Sequence, residues 1–238
     1  MPRGVAVVIP TFNEADSIGA VIAELPRSVV ERILVVDGGS SDDTLAAAAR
    51  AGAEPIKVGR GYGRACLAGA HAAHNADIVV FMDGDGADDP AVIPKMVAAI
   101  RDGGADFVIG SRARGQREPG SMAAHQLLAG RAIGALTALL YGVRYTDMCA
   151  LRAIRRDTLL ALGMRELTYG WNLEMQMRVA RAGLRVLELP VAYRRRSGGE
   201  SKVAGSLTGS LRAGLRISAT FARVALEPTQ KRGSAAAS

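Results

Sequence analysis

Aromatic residues make up 4% of the 238-residue chain, and they do not interleave with its basic residues. A nucleic acid surface built on stacking is therefore not expected. The two cysteines, Cys66 and Cys149, lie far apart in apolar surroundings. They form neither a disulfide framework nor a zinc spacing, and they fit burial in a reducing compartment. Histidine is equally sparse. His71 and His74 share a helix face and His125 stands at the start of the next helix, without the third neighbouring ligand that a catalytic zinc site needs. The first apolar run, Val5 to Ile9, is ended by Pro10, too early for a secretory signal. No window approaches the roughly 20 apolar residues that span a bilayer, so a cytosolic protein is expected. Neither a phosphate-binding G-x-x-x-x-G-K-[ST] loop nor the dinucleotide fingerprint occurs.

Acidic charge is also thin, and unevenly so. The chain carries a net +7, and between Arg194 and Arg223 seven basic residues face one acid, Glu200. Such a segment suits a phosphate group or an acidic membrane surface. Half of the residues are hydrophobic, 49%, and 22% are charged, which is normal for one α/β domain with a full core.

The chemistry-bearing stretch is Phe81-Met82-Asp83-Gly84-Asp85-Gly86-Ala87-Asp88-Asp89-Pro90, after the apolar Ile78-Val79-Val80. Strand side chains alternate, so Asp83 and Asp85 are expected on the same face at a strand's carboxyl end. Two carboxylates so placed suit Mg²⁺ or Mn²⁺, which complete their coordination with substrate phosphates and water. A calcium loop is excluded, because its fifth, sixth and twelfth places hold Ala87, Asp88 and Pro94. Asp89 and Pro90 read as N-cap and first turn of a helix.

Along the chain, strands are expected over 5–9, 32–36, 55–58, 77–82, 106–109 and 145–154, with a last pair at 185–189 and 191–193. Helices are expected over 16–25, 45–51, 65–75, 91–101, 123–141, 157–162 and 171–181. Buried, non-alternating strands between helices predict a mostly parallel sheet covered on both faces. Ligands collect at the carboxyl ends of such strands, which places Asn13, Asp37, Asp83, Asp85 and Arg112 at one edge. The glycine loop 59–64 reads either as a tight turn or as backbone amides near a ligand. Glu174 complements the dipole of its helix. The run 194–202 is expected to handle phosphate, with a solvated charge run as the alternative. Residues 203–228 form a basic amphipathic helical extension that suits a membrane surface, a partner or its own domain, and 229–238 a disordered tail.

The ordered series Val8-Ile9-Pro10-Thr11-Phe12-Asn13-Glu14, Val35-Val36-Asp37-Gly38-Gly39-Ser40-Ser41-Asp42-Asp43-Thr44, Asp83-Gly84-Asp85, Gly110-Ser111-Arg112 and Gly199-Glu200-Ser201-Lys202 resembles family 2 glycosyltransferases. Within that family it is similar to the dolichyl-phosphate mannosyltransferase-type branch. The resemblance implies a GT-A, Rossmann-like domain over 1–202, a GDP- or UDP-hexose donor, a divalent metal and inversion at the anomeric carbon. By the same comparison Pro10, Thr11, Asn13, Glu14 and Asp37 hold the nucleotide, and Asp83 and Asp85 the metal and diphosphate. Arg112, Arg196, Ser201 and Lys202 meet the leaving diphosphate or an acceptor phosphate.

For a polyprenyl phosphate acceptor the attacking oxygen is already anionic. For a hydroxyl acceptor a carboxylate must take the proton, and Glu174 is the candidate base. The chain departs from the branch at Asp147-Met148-Cys149-Ala150-Leu151-Arg152 and at Gly86-Ala87-Asp88-Asp89-Pro90, both near the expected acceptor side. The Gln-x-x-Arg-Trp motif of processive relatives is missing, which disfavours a polysaccharide synthase. A lipid acceptor would then be met at the membrane surface or through a membrane partner protein, and a second copy of the chain is also compatible with the sequence.

Overall fold

The computed structural model describes residues 4–122, 124–197 and 207–228. Its elements are β1 (Gly4–Thr11), α1 (Ala15–Ala23), β2 (Val30–Asp37), α2 (Thr44–Arg50), β3 (Glu54–Lys57), α3 (Tyr62–Ala72), β4 (Ala76–Phe81), α4 (Ile93–Arg101), β5 (Phe107–Ser111), α5 (Ala124–Tyr141), β6 (Arg152–Arg155), α6 (Arg156–Ala161), α7 (Trp171–Arg181), β7 (Val186–Pro190) and α8 (Leu207–Leu226). The seven strands form one sheet in the order β3-β2-β1-β4-β6-β5-β7. β1 pairs in parallel with β2 and β4, and β5 with β7, while β6 runs antiparallel between β4 and β5.

All eight residues of β1 are buried, as expected of a central strand covered by helices on both faces. The edge strand β3 is largely exposed. Because β1, β2, β4, β5 and β7 point the same way, their carboxyl ends share one edge, with Thr11 directly beside Asp37 in the register. That edge carries the site.

Four expectations change. The last strand pair reduces to β7, and beyond Pro190 Tyr193 makes only isolated bridges, to Asp88 and Arg117. The strand expected over 145–154 contracts to Arg152–Arg155, because the preceding residues bond elsewhere. The Tyr145 hydroxyl donates to the Gln176 carbonyl, and Gln176 Nε2 to the Asp147 carbonyl. The helix expected from residue 65 already starts at Tyr62, shortening the glycine loop. β4 ends at Phe81, so Asp83 and Asp85 stand on the loop beyond it and strand alternation does not orient them. Asp89 does cap the turn at Pro90–Val92, accepting from the Ala91 N–H at 3.0 Å.

The inner face of α8 packs on its own domain. Val224 joins Leu173 and Met177 of α7 in a buried cluster, with Ile133, Tyr141 and Phe221 against it. Burying a side chain such as Val224 contributes about 1.5–3 kcal/mol. The outer faces of α5 and α8 expose Leu128, Leu139, Leu215 and Leu226. No helix among the described residues is long and apolar enough to cross a membrane.

Candidate active site

A cleft of about 700 Å³ opens at the carboxyl edge, and Pro10, Thr11, Glu14, Asp83, Asp85 and Arg196 all line it. These six site residues, spread over 187 positions of the chain, converge because the parallel strands end together. Thr11 is 5% exposed, and its hydroxyl has no partner among the described residues. A buried hydroxyl left unpaired costs stability, so a cleft that holds one is suited to a polar ligand.

Asn13 and Asp37 sit behind the cleft and shape its wall. Asp37 is fully buried, and its Oδ2 accepts the N–H groups of Gly39 and Ser40 at 2.9 and 2.8 Å. The Ser40 hydroxyl donates to the other carboxylate oxygen. Asn13 has φ +54°, a left-handed conformation that asparagine tolerates better than most residues. Its N–H donates to Ser40 Oγ and its Oδ1 accepts from the Ser41 N–H. The two residues therefore lock the β1 and β2 loops together. Ser17 ties the same corner to the acidic loop, its hydroxyl donating to the Gly84 carbonyl at 2.7 Å.

Asp83, Asp85 and Asp88 form an acidic cluster. Burial, reinforced by Asp85 and then Asp88, pushes the Asp83 carboxyl up to about 7. Burial and then Asp85 raise Asp88 to about 6. Asp83 Oδ1 accepts from the Tyr62 hydroxyl at 3.2 Å. Asp85 is 3% exposed; its Oδ1 accepts the Ala87 N–H at 3.0 Å, and its Oδ2 is ion-paired with Arg196 at 3.0 Å. Among the described residues no three His, Cys, Asp or Glu side chains converge as a full ligand set. Two oxygen donors at a cleft fit Mg²⁺ or Mn²⁺, which draw their other ligands from phosphates and water.

The basic segment divides. Arg194 pairs with Glu24 and Asp89, and Arg195 bonds Glu118 and the Pro119 carbonyl, so neither faces the main cleft. Arg196 does. Ser201 and Lys202 lie outside the described residues, as does the tail from 229. Arg112 is not a cleft residue either: its guanidinium takes both oxygens of Asp147 at 2.7 Å and covers the Tyr193 ring at 4.9 Å. Burial opposes its charge, but the Asp147 bonds override it and hold its pKa well above the ordinary value.

Glu174, the candidate base, is fully buried away from the cleft. It accepts from the Arg165 and Glu166 N–H groups, from Arg178 and from Arg223. Burial alone would raise its pKa; the Glu166 N–H and the two arginines reverse the sign and hold it below the usual carboxylate range. A carboxylate so engaged is a poor proton acceptor and a good structural anion.

Sequence reasoning missed Arg60, whose guanidinium lies 3.9 Å from the centre of the Phe12 ring. It also missed Tyr62, Thr168, Tyr169, Asn172 and Ile217, all on the cleft wall. Arg60 and Tyr62 belong to the glycine loop, which was a signal. Gly61 has φ +137°, and a Cβ there would stand 2.4 Å from the Leu167 carbonyl. The loop's glycines thus serve close approach to the 166–168 segment. Ile217, on a helix that begins 196 residues after β1 ends, left no local signal.

A family model described as "Glycosyl transferase family 2" matches residues 6–163. An uncharacterized glycosyltransferase of Mycobacterium tuberculosis is 41% identical over 215 residues, covering 87% of this chain and 93% of its own. The undecaprenyl-phosphate mannosyltransferase of Micrococcus luteus is 34% identical, covering 86% and 89%. Among solved structures, glucosyl-3-phosphoglycerate synthase of Mycobacterium tuberculosis in complex with Mn²⁺ and UDP-glucose is alike in fold, with a TM-score of 0.72 and 22% identity over 95% of this chain and 80% of its own.

Proposed function

The chain belongs to glycosyl transferase family 2, and on that premise we propose that it moves one hexose from a GDP- or UDP-sugar onto a polyprenyl phosphate at the cytosolic face of a membrane. The reaction inverts the anomeric carbon and uses Mg²⁺ or Mn²⁺ held by Asp83 and Asp85. The observation that carries this reading is the cleft itself, where two carboxylates, the Arg196 cation and the Thr11 hydroxyl, which has no partner among the described residues, line one space.

The residues divide the work. Pro10, Thr11 and Glu14 form the nucleotide wall, supported from behind by Asn13 and Asp37. Arg60 and Phe12 offer a flat cationic and aromatic surface to a base. Departure of the nucleoside diphosphate concentrates negative charge on its oxygens, and Arg196 is placed to stabilise it as it develops. When bound, the divalent cation supplies Lewis-acid stabilisation of the same charge. An acceptor phosphate attacks as an anion, so no side chain has to remove a proton. The engagement of Glu174 elsewhere favours that acceptor over a hydroxyl. The named activity of the Micrococcus luteus relative supports a polyprenyl phosphate, and the Mn²⁺ and UDP-glucose of the structural neighbour support a metal and a nucleotide sugar.

The test is transfer of labelled hexose from UDP-glucose or GDP-mannose to undecaprenyl phosphate in detergent, with Mn²⁺, Mg²⁺ or chelator. Metal-dependent formation of a lipid-linked hexose is expected. Transfer to a soluble phosphorylated alcohol, with none to the lipid, would overturn the acceptor assignment.

A further inference from the structure

We propose that Arg196 is an exchangeable counter-ion that couples divalent-metal binding to nucleoside-diphosphate binding. It opposes the metal alone and favours the metal together with the diphosphate. This rests on the reading of Asp83 and Asp85 as the metal carboxylates and goes beyond it by assigning Arg196 a linkage between two ligands.

Three observations carry it. The first is occupancy: Oδ1 of Asp85 accepts the Ala87 N–H at 3.0 Å, and Oδ2 is ion-paired with the Arg196 guanidinium, whose Nε stands 3.0 Å away. A cation using Asp85 through Oδ2 would bring its charge against the Arg196 guanidinium already paired with that oxygen. The second is asymmetry. The Asp85 side chain is 4% exposed and Arg196 is 37% exposed, so the guanidinium has room to leave while the carboxylate does not.

The third is the backbone on either side. The Arg194 N–H donates to the Ala87 carbonyl at 2.9 Å, and the Ser197 N–H to the Asp85 carbonyl at 3.0 Å. The Ser197 hydroxyl also reaches the Asp85 carbonyl at 3.2 Å. Arg196 is thus held beside the acidic loop at both flanks, and its side chain can pivot without a loop movement.

The charges then set the direction. A divalent ion held by Asp85 would repel the guanidinium paired with the same carboxylate, and that ion pair would be weakened. Metal binding alone is penalised on both counts. A diphosphate on the same cation brings anionic oxygens to the cleft, and the displaced guanidinium gains them as a new partner. The penalty becomes a gain, and linkage requires the nucleotide to tighten the metal by the same factor as the metal tightens the nucleotide. The guanidinium groups of the other arginines near the acidic loop are engaged elsewhere, Arg112 with Asp147, Arg194 with Glu24 and Arg195 with the Pro119 carbonyl.

The experiment titrates Mn²⁺ into the full chain and follows the paramagnetic resonance signal of free aqueous Mn²⁺. Arms without nucleotide, with UDP and with GDP are run for the wild type, Arg196→Gln and Arg196→Lys, with circular dichroism to confirm folding. The expected result is that Arg196→Gln binds Mn²⁺ alone about fivefold tighter or more, while the enhancement by nucleotide falls by about tenfold or more. Arg196→Lys should lie between. If Arg196→Gln binds Mn²⁺ alone no more tightly than the wild type, or keeps the full nucleotide enhancement, the coupling role is overturned and the family assignment and its metal site stand. If no protein binds Mn²⁺ with either nucleotide, the metal assignment under the proposed function fails, and this inference with it.

Discussion

Arg223 of α8 donates from Nη1 to Oε1 of Glu174 on α7 at 3.0 Å. That one bond crosses 49 residues and fastens the C-terminal helix to the catalytic domain. The clasp is broader than the pair: Arg178 shares the same Glu174 oxygen, Glu227 accepts from Arg178 and Arg223, and the Thr220 hydroxyl donates to Glu166. Through it α8 places Ile217 on the cleft wall. Glu174→Gln should therefore behave as a stability variant. Removing one partner of a buried ion pair costs about 3–5 kcal/mol, and at roughly 2–4 °C per kcal/mol the melting temperature should fall by about 10 °C. At temperatures where the variant is folded, its rate should keep the wild-type pH profile. A normal melting temperature with abolished turnover would restore Glu174 as a base.

Thr11→Val tests the orphaned hydroxyl. In the free protein this change removes a buried polar atom without a partner, which is worth about 1–3 kcal/mol, so the melting temperature should hold or rise. UDP or GDP binding, measured by calorimetry, should weaken about tenfold if the hydroxyl meets the nucleotide. Unchanged affinity would remove Thr11 from the binding wall.

The acidic cluster predicts a pH dependence with a definite sign. Asp83 titrates near 7 and Asp88 near 6 in the folded chain, whereas an unfolded aspartate titrates near 3.9. Between these values the folded state holds protons that the unfolded state has released. The contribution is thus fully present below about pH 4 and is lost as pH rises through 6 to 7. A divalent cation competes with those protons, so the thermal shift given by Mn²⁺ should grow from pH 5.5 to 7.5. A metal shift independent of pH would show that Asp83 is not a ligand.

Gly86 joins the acidic loop to the basic segment. Its φ is +78°, and a Cβ would stand 2.3 Å from Ser197 Oγ. Gly86→Ala should cost about 1–2 kcal/mol for the left-handed backbone and further stability for the clash. Adding Ser197→Ala should recover the steric part alone. Full recovery in the double variant would mean that the backbone conformation carries no cost here.

Much of the fold was legible in local pattern. The run Val5 to Ile9 is apolar without alternation and became a central strand buried on both faces, and the helix expected at 171–181 formed over those residues. What misled was polar bonding between distant segments. Residues 145–151 have the composition of a strand, yet Asp147 is taken by Arg112 and Gln176, and the ladder shortens accordingly. Arg112 and Glu174 are expected at the site, and in the fold each has an internal partner, Asp147 and Arg178, because a charge near a strand end or in a helix's first turn suits either a ligand or such a partner. Sequence position does not tell the two apart.

The sequence by itself determined the sheet, the family and the set of carboxylates at the strand ends, because strand burial, loop placement and motif order are local or nearly local properties. Tertiary structure alone decided which charges remain for a ligand. Three arginines stand in succession at 194–196, and one of them reaches the cleft while Arg194 pairs with Glu24 and Asp89 and the Arg195 guanidinium donates to the Pro119 carbonyl. An ion pair is set by distance in space, and residues 85 and 196 become neighbours only when the chain has folded.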